Sequence, residues 1–159
     1  MSQESNPRPR HPLAPVAAAL ESPLGDHALF YLTQLEHTFR SATENSIQEF
    51  DLDLRQYSTL AFIVDGHAPT QQELSQLLRL DLSQVVSLTK GLEARGLLVR
   101  QTAAHDRRAK TLAITAAGRR LYAQAALEVR RVEEHLTASL SRRDHIALRA
   151  LLGRILPLP

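Results

Sequence analysis

Ser83, Gln84, Val86, Ser87 and Lys90 interleave with the apolar series Val85, Leu88 and Leu92. The apolar residues recur at three- and four-residue steps, so a helix here would pack one face and display the other. The displayed chemistry suits base edges. A glutamine carboxamide can pair bidentately with adenine, valine can pack on a thymine methyl, and serines are permissive hydrogen-bonding partners. The free backbone N–H groups of the helix N-terminus suit a phosphate.

A second cluster lies in Asp106-Arg-Arg-Ala-Lys110, where three cations follow one another in a short polar stretch. Arginine gains from the enhanced negative potential of a narrow minor groove. Asp106 can orient one guanidinium by a bidentate pair, which leaves Arg108 as the candidate for groove insertion and Arg107 and Lys110 beside it. The wider charge distribution agrees. Residues 24–75 carry eight acids and two bases, whereas residues 79–120 carry nine bases and three acids, so a net of −6 is followed by a net of +6. Such asymmetry in a chain with a net charge of only +2 points to a polyanion-facing surface.

These residues need elements to hold them. Thr70-Gln-Gln-Glu73 is a capping box before Leu74, Leu77 and Leu78, which predicts a short helix over 71–78. Asp81 then opens a helix over about 82–95 that Gly96 stops. Two capped helices joined by a tight turn form a helix-turn-helix, in which the second helix enters the major groove. Residues 97–101 and 111–115 switch to a period of two and read as strands around the basic loop 102–110, a β-hairpin. Upstream, helices are predicted over 26–50, capped by Asp26, and over 53–64, capped by Asp53 and ended by Asp65-Gly66. Downstream, a long helix over 116–140 is followed by another over 142–156 that Ser141 caps and Pro157 ends. Residues 1–23 hold five of the eight prolines and read as a flexible tail, with at most a turn of helix over 16–20.

The expected fold class is mostly α with a small β-hairpin wing. A winged helix-turn-helix lobe spans 53–115, and residues 24–52 and 116–159 form a helical dimerisation lobe. The outer helices carry apolar stripes that a short helix-turn-helix lobe cannot cover, and a two-fold homodimer would bury them against their copies.

Several classes are disfavoured. There is no cysteine, hence no disulfide or thiolate site, and a cytoplasmic setting fits. No apolar run approaches the ~20 residues of a membrane span, and no membrane partner is expected. The seven histidines show no His-x-x-x-His pair, so no metal and no cofactor is expected. No nucleophile elbow, phosphate loop or dinucleotide fingerprint is present, so the chain is not read as an enzyme. A winged-helix interaction module without DNA binding or ligand response is the alternative. It would show an acidic or apolar recognition face, which this chain lacks.

Over residues 70–101 and 105–118 the sequence resembles the MarR family of bacterial transcription regulators, and the flanking helices extend the likeness to about 26–156. The resemblance implies an obligate dimer that binds palindromic double-stranded DNA, usually as a repressor. It also implies a pocket between the lobes for a small aromatic acid or related anionic effector. Tyr31, His37, Phe39, Arg55 and Tyr57 are the residues proposed for that pocket: Arg55 to pair a carboxylate, Tyr57 to stack and donate a hydrogen bond. Two positions depart from the family pattern. Ser87 stands where many members carry arginine, and Gly91 sits inside the recognition helix at a cost of about 1 kcal/mol relative to alanine.

Overall fold

The computed structural model describes residues 14–102 and 110–156. Its elements in chain order are α1 (Ala14–Leu20), a 3-10 turn (Pro23–Asp26), α2 (Ala28–Ile47), a second 3-10 turn (Gln48–Phe50), α3 (Leu54–Val64), α4 (Gln71–Leu78), α5 (Leu82–Ala94), β1 (Leu98–Thr102), β2 (Lys110–Ile114), α6 (Ala116–Leu136) and α7 (Arg142–Ile155). The chain divides into two compact units, residues 1–38 and 39–159. The last turn of α2 contributes buried Ile47 to the core of the second unit.

In the first unit, a seven-residue helix replaces the single turn expected near residues 16–20. Pro15 occupies its first turn, where a missing N–H costs nothing. Asp26 does not cap α2. It belongs instead to the 3-10 turn that starts with Pro23, and Ser22 caps that turn by accepting the Leu24 N–H at 3.2 Å.

In the second unit, one apolar core joins Leu60 and Ile63 of α3, Leu74 of α4, Val85 and Leu92 of α5, Leu98 and Leu112 of the hairpin and Ala125 of α6. Each helix contributes residues at helical spacing, so its polar face is left outward. The caps anticipated from sequence form. Asp53 and Gln56 close a reciprocal box at α3, as do Thr70 and Glu73 at α4 and Ser141 and Asp144 at α7. Bonding to Thr70 holds the Glu73 carboxyl below its usual range, and bonding to Ser141 does the same for Asp144.

The strands pair antiparallel with Leu98 opposite Ile114 and Thr102 opposite Lys110. A Leu112 N–H to Pro69 carbonyl bond of 3.0 Å ties the hairpin to the segment before α4. Gly118 seats α6 on the hairpin. A Cβ there would collide with the Leu97 carbonyl and crowd Ile114, so the close approach requires glycine. Thr115 completes the joint: its Oγ1 accepts the Gly118 N–H at 3.0 Å and donates to the Gly96 carbonyl at 2.7 Å. The long helix expected to reach residue 140 ends at Leu136, and no helix among the described residues is long and apolar enough to cross a membrane.

Candidate nucleic-acid interface

α4 and α5 meet through a turn with an unusual residue. Arg79, the C-cap of α4, adopts the left-handed conformation (φ 52°, ψ 46°) that normally favours glycine. The turn is braced by Ser75, whose Oγ donates to the Leu80 carbonyl at 2.6 Å. Between the two helices, Thr89 is fully buried. Its hydroxyl donates to the Val85 carbonyl at 2.8 Å and accepts from Gln71 Nε2 at 2.6 Å. A buried hydroxyl must be paired, and this pairing fastens the start of α4 to the middle of α5.

That scaffold leaves one side of α5 in solvent. Ser83, Gln84, Ser87 and Lys90 are exposed, while Val86 is half-buried. Lys90 makes no ion pair among the described residues. Gln84 already has one task in the free protein: its Oε1 accepts the Asp81 N–H at 3.1 Å. An amide oxygen has a second lone pair and the Nε2 has two hydrogens, so a donor and an acceptor still face outward from the first turn. Leu82 is a further surface residue that the sequence pattern did not single out. It is 53% exposed at the first helical position. Its spacing, three residues before Val85, continues the Val85-Leu88-Leu92 stripe, so periodicity alone would have placed it on the packed face.

The basic run divides by task. Arg95 is a brace: its guanidinium donates to the Asp51 carbonyl at 2.5 Å and to the Phe50 carbonyl at 3.2 Å. Asp51 holds a left-handed backbone at that point (φ 53°). Arg100 pairs with Glu93 at 3.1 Å, and Arg119 donates to the Val64 carbonyl at 2.7 Å. Lys110 donates to Thr102 Oγ1 at 2.9 Å across the last pair of the hairpin. Arg79, in the turn before α5, and Lys90, on α5, retain exposed charge. Asp106, Arg107 and Arg108 lie outside the described residues.

The residues expected to hold an effector fall in both units. Tyr31 and His37 belong to the first unit, and Phe39, Arg55 and Tyr57 to the second. Tyr31 packs edge-on against Phe30, with ring centroids 6.0 Å apart. Tyr57 stacks on Tyr122 of α6 at 5.6 Å, a partner not identified from sequence because it lies 65 residues away. Burial, then the neighbouring Tyr122, push the Tyr57 hydroxyl up to about 12. Arg55 lines a cleft of about 360 Å³ together with Asp53, Gln84, Ser87 and Gly91, so it faces the recognition helix. Among the described residues, no three histidine or acidic side chains gather as a metal site.

Residues 50–109 match the model of the MarR family. A putative transcriptional regulatory protein for the hcr operon of Thauera aromatica is 31% identical over 99 residues, which is 62% of this chain and only 60% of that relative. The structure of CouR from Rhodococcus jostii RHA1 bound to p-coumaroyl-CoA is 29% identical with a TM-score of 0.77, covering 89% of this chain and 97% of that one. CouR bound to a 23-mer DNA duplex aligns at 28% identity and a TM-score of 0.74, over 83% of this chain and 94% of that one. The winged helix-turn-helix built on α4, α5 and the β1–β2 hairpin, with these matches across it, makes the chain similar in sequence and fold to MarR-family regulators.

Proposed function

We propose that the protein is a dimeric, sequence-specific DNA-binding transcriptional regulator, and that it acts as a repressor released by a small aromatic or anionic ligand. The observation that carries this reading is the exposed polar face of α5. Ser83, Gln84, Ser87 and Lys90 stand together on a helix whose opposite side is locked into the core by Val85, Thr89 and Leu92. That a relative of similar fold is a repressor bound to duplex DNA supports it. In this reading Val86 and Leu82 offer apolar surface to thymine methyl groups, and Arg107, Arg108 and Lys110 form the wing, with Asp106 orienting an arginine.

Dimerisation is supported by α7. Ile146 and Ile155 are 64% and 68% exposed, and Leu151 and Leu156 are more than half exposed. Large apolar side chains exposed along one helix suit an interaction site, and a C2 partner would bury them while setting the distance between two recognition helices. The effector reading draws support from the p-coumaroyl-CoA held by CouR and from the half-buried Tyr57–Tyr122 stack, which offers an aromatic surface. Tyr31, His37 and Phe39 remain candidates for the same ligand.

Selection of bound duplexes from a random pool tests the proposal. A two-fold symmetric site with half-sites about 10 base pairs apart is expected. Recovery of no common sequence would overturn the sequence-specific reading and favour an interaction module.

A further inference from the structure

The cleft beside α5 holds a cation that base reading does not require. Arg55, in the first turn of α3, is exposed and makes no ion pair among the described residues. The acid that shares the cleft, Asp53, is already committed, since its carboxylate accepts the Gln56 N–H at 2.8 Å. On the α5 side the wall is formed by Gln84, Ser87, Leu88 and Gly91, and a Cβ at Gly91 would meet nothing within 4 Å. The cleft is thus open along the side of the recognition helix, with one guanidinium across from it.

We infer that Arg55 grips a backbone phosphate of the DNA strand bordering the recognition helix, whose sugar-phosphate chain runs through this cleft. The inference rests on the DNA-binding reading. The argument is one of size. A helix with its side chains is about 10–12 Å across, and the major groove is about 12 Å wide. One helix therefore fills the groove, and a second element flanking it meets the groove wall, which is phosphate and sugar rather than base edge. Arg55 belongs to that flanking element, and its planar fork matches a phosphate. The carboxylate of an aromatic acid has similar chemistry. The strand is the assigned occupant because the same cleft is bounded by Gln84 and Ser87, which face the groove.

The test compares wild type, Arg55→Ala and Arg55→Lys on the duplex selected by wild type and on an unrelated duplex, from 50 to 200 mM salt. Each phosphate contact contributes a slope of about −0.9 to log K against log salt, so a dimer lacking both copies should lose about 1.8 from the slope. The ratio of wild-type to Arg55→Ala affinity should then shrink by about 12-fold across that range. Arg55→Lys should restore the slope, and both duplexes should be weakened by the same factor. Thermal melting confirms that both variants are folded, as expected for an exposed side chain.

An unchanged slope with unchanged affinity overturns the inference while leaving the DNA-binding reading intact. A loss confined to the selected duplex also overturns it, because that would make Arg55 a base reader. Normal DNA binding with a lost response to salicylate would assign the cleft to an effector instead. If wild type binds neither duplex, the DNA-binding reading itself fails, and the inference with it.

Discussion

Two glycines in helices should respond to the same substitution with opposite sign. At Gly118 an added Cβ meets the Leu97 carbonyl carbon and oxygen and Ile114 Cγ1. Two of those atoms are backbone, and the Leu97 oxygen also accepts the Thr115 N–H at 3.1 Å, so it cannot retreat without loosening the cap of α6. Overpacking of this kind costs about 3 kcal/mol at the upper end of the usual range, and alanine returns about 1 kcal/mol of helix propensity. Gly118→Ala should therefore lose about 2 kcal/mol, equivalent to a Tm lower by about 4–8 °C for a chain of this size. Gly91 lies in α5 with open space at its Cβ position. Gly91→Ala should gain up to about 1 kcal/mol and raise Tm by about 2–4 °C. Differential scanning calorimetry at matched protomer concentration reads both, since the melting of a dimer depends on concentration. A Gly118→Ala variant as stable as wild type would refute the tight seating of α6 on the hairpin. Destabilisation by Gly91→Ala would refute the open cleft.

Other substitutions probe the caps, the aromatic pair and the wing. Thr70→Ala should cost about 1 kcal/mol by removing one side of the α4 capping box, and an NMR titration should show the Glu73 carboxyl rising toward its usual range. Bonding to Thr70 depresses the Glu73 pKa in the folded state, so this contribution is present above the carboxyl's ordinary pKa and lost on acidification through the depressed one. Ultraviolet titration of the three tyrosines should show one ionising near pH 12, later than an ordinary tyrosine. Tyr122→Phe should lower that value only partway, because burial is the larger cause. A raised acid pKa means the folded state holds its proton longer, so Tyr57 should weaken folding as pH rises from about 10 toward 12. Arg108→Ala should weaken binding to the selected duplex by about 1–3 kcal/mol with the oligomeric state unchanged in sedimentation. Wild-type affinity in that variant would remove the wing from the reading surface.

Local signals carried most of the fold. Capping boxes at Asp53, Thr70 and Ser141 and the left-handed glycines Gly66 and Gly96 marked element ends within a few residues of the chain, where side chain and backbone interact directly. Failures came where the deciding partner is close in sequence but competes, or is distant. Asp26 lost its expected cap to the Ser22-Pro23 turn beside it. Tyr122 beneath Tyr57, Gln71 on Thr89 and the Phe50 and Asp51 carbonyls under Arg95 are contacts across 18 to 65 positions, which no periodicity encodes. The same limit applied to Arg55. Its type suggested an anion, while only the fold brings it into a cleft with Gln84 and Ser87.

Comparing duplexes enriched by wild type and by Gln84→Ala tests most directly whether α5 reads DNA. If α5 lies in the major groove, the variant should recover the same two-fold site with preference relaxed at one base pair in each half, placed symmetrically, and lose about 1–3 kcal/mol on the wild-type sequence. Identical enriched sequences and affinities for the two proteins would contradict a reading role for this face of α5.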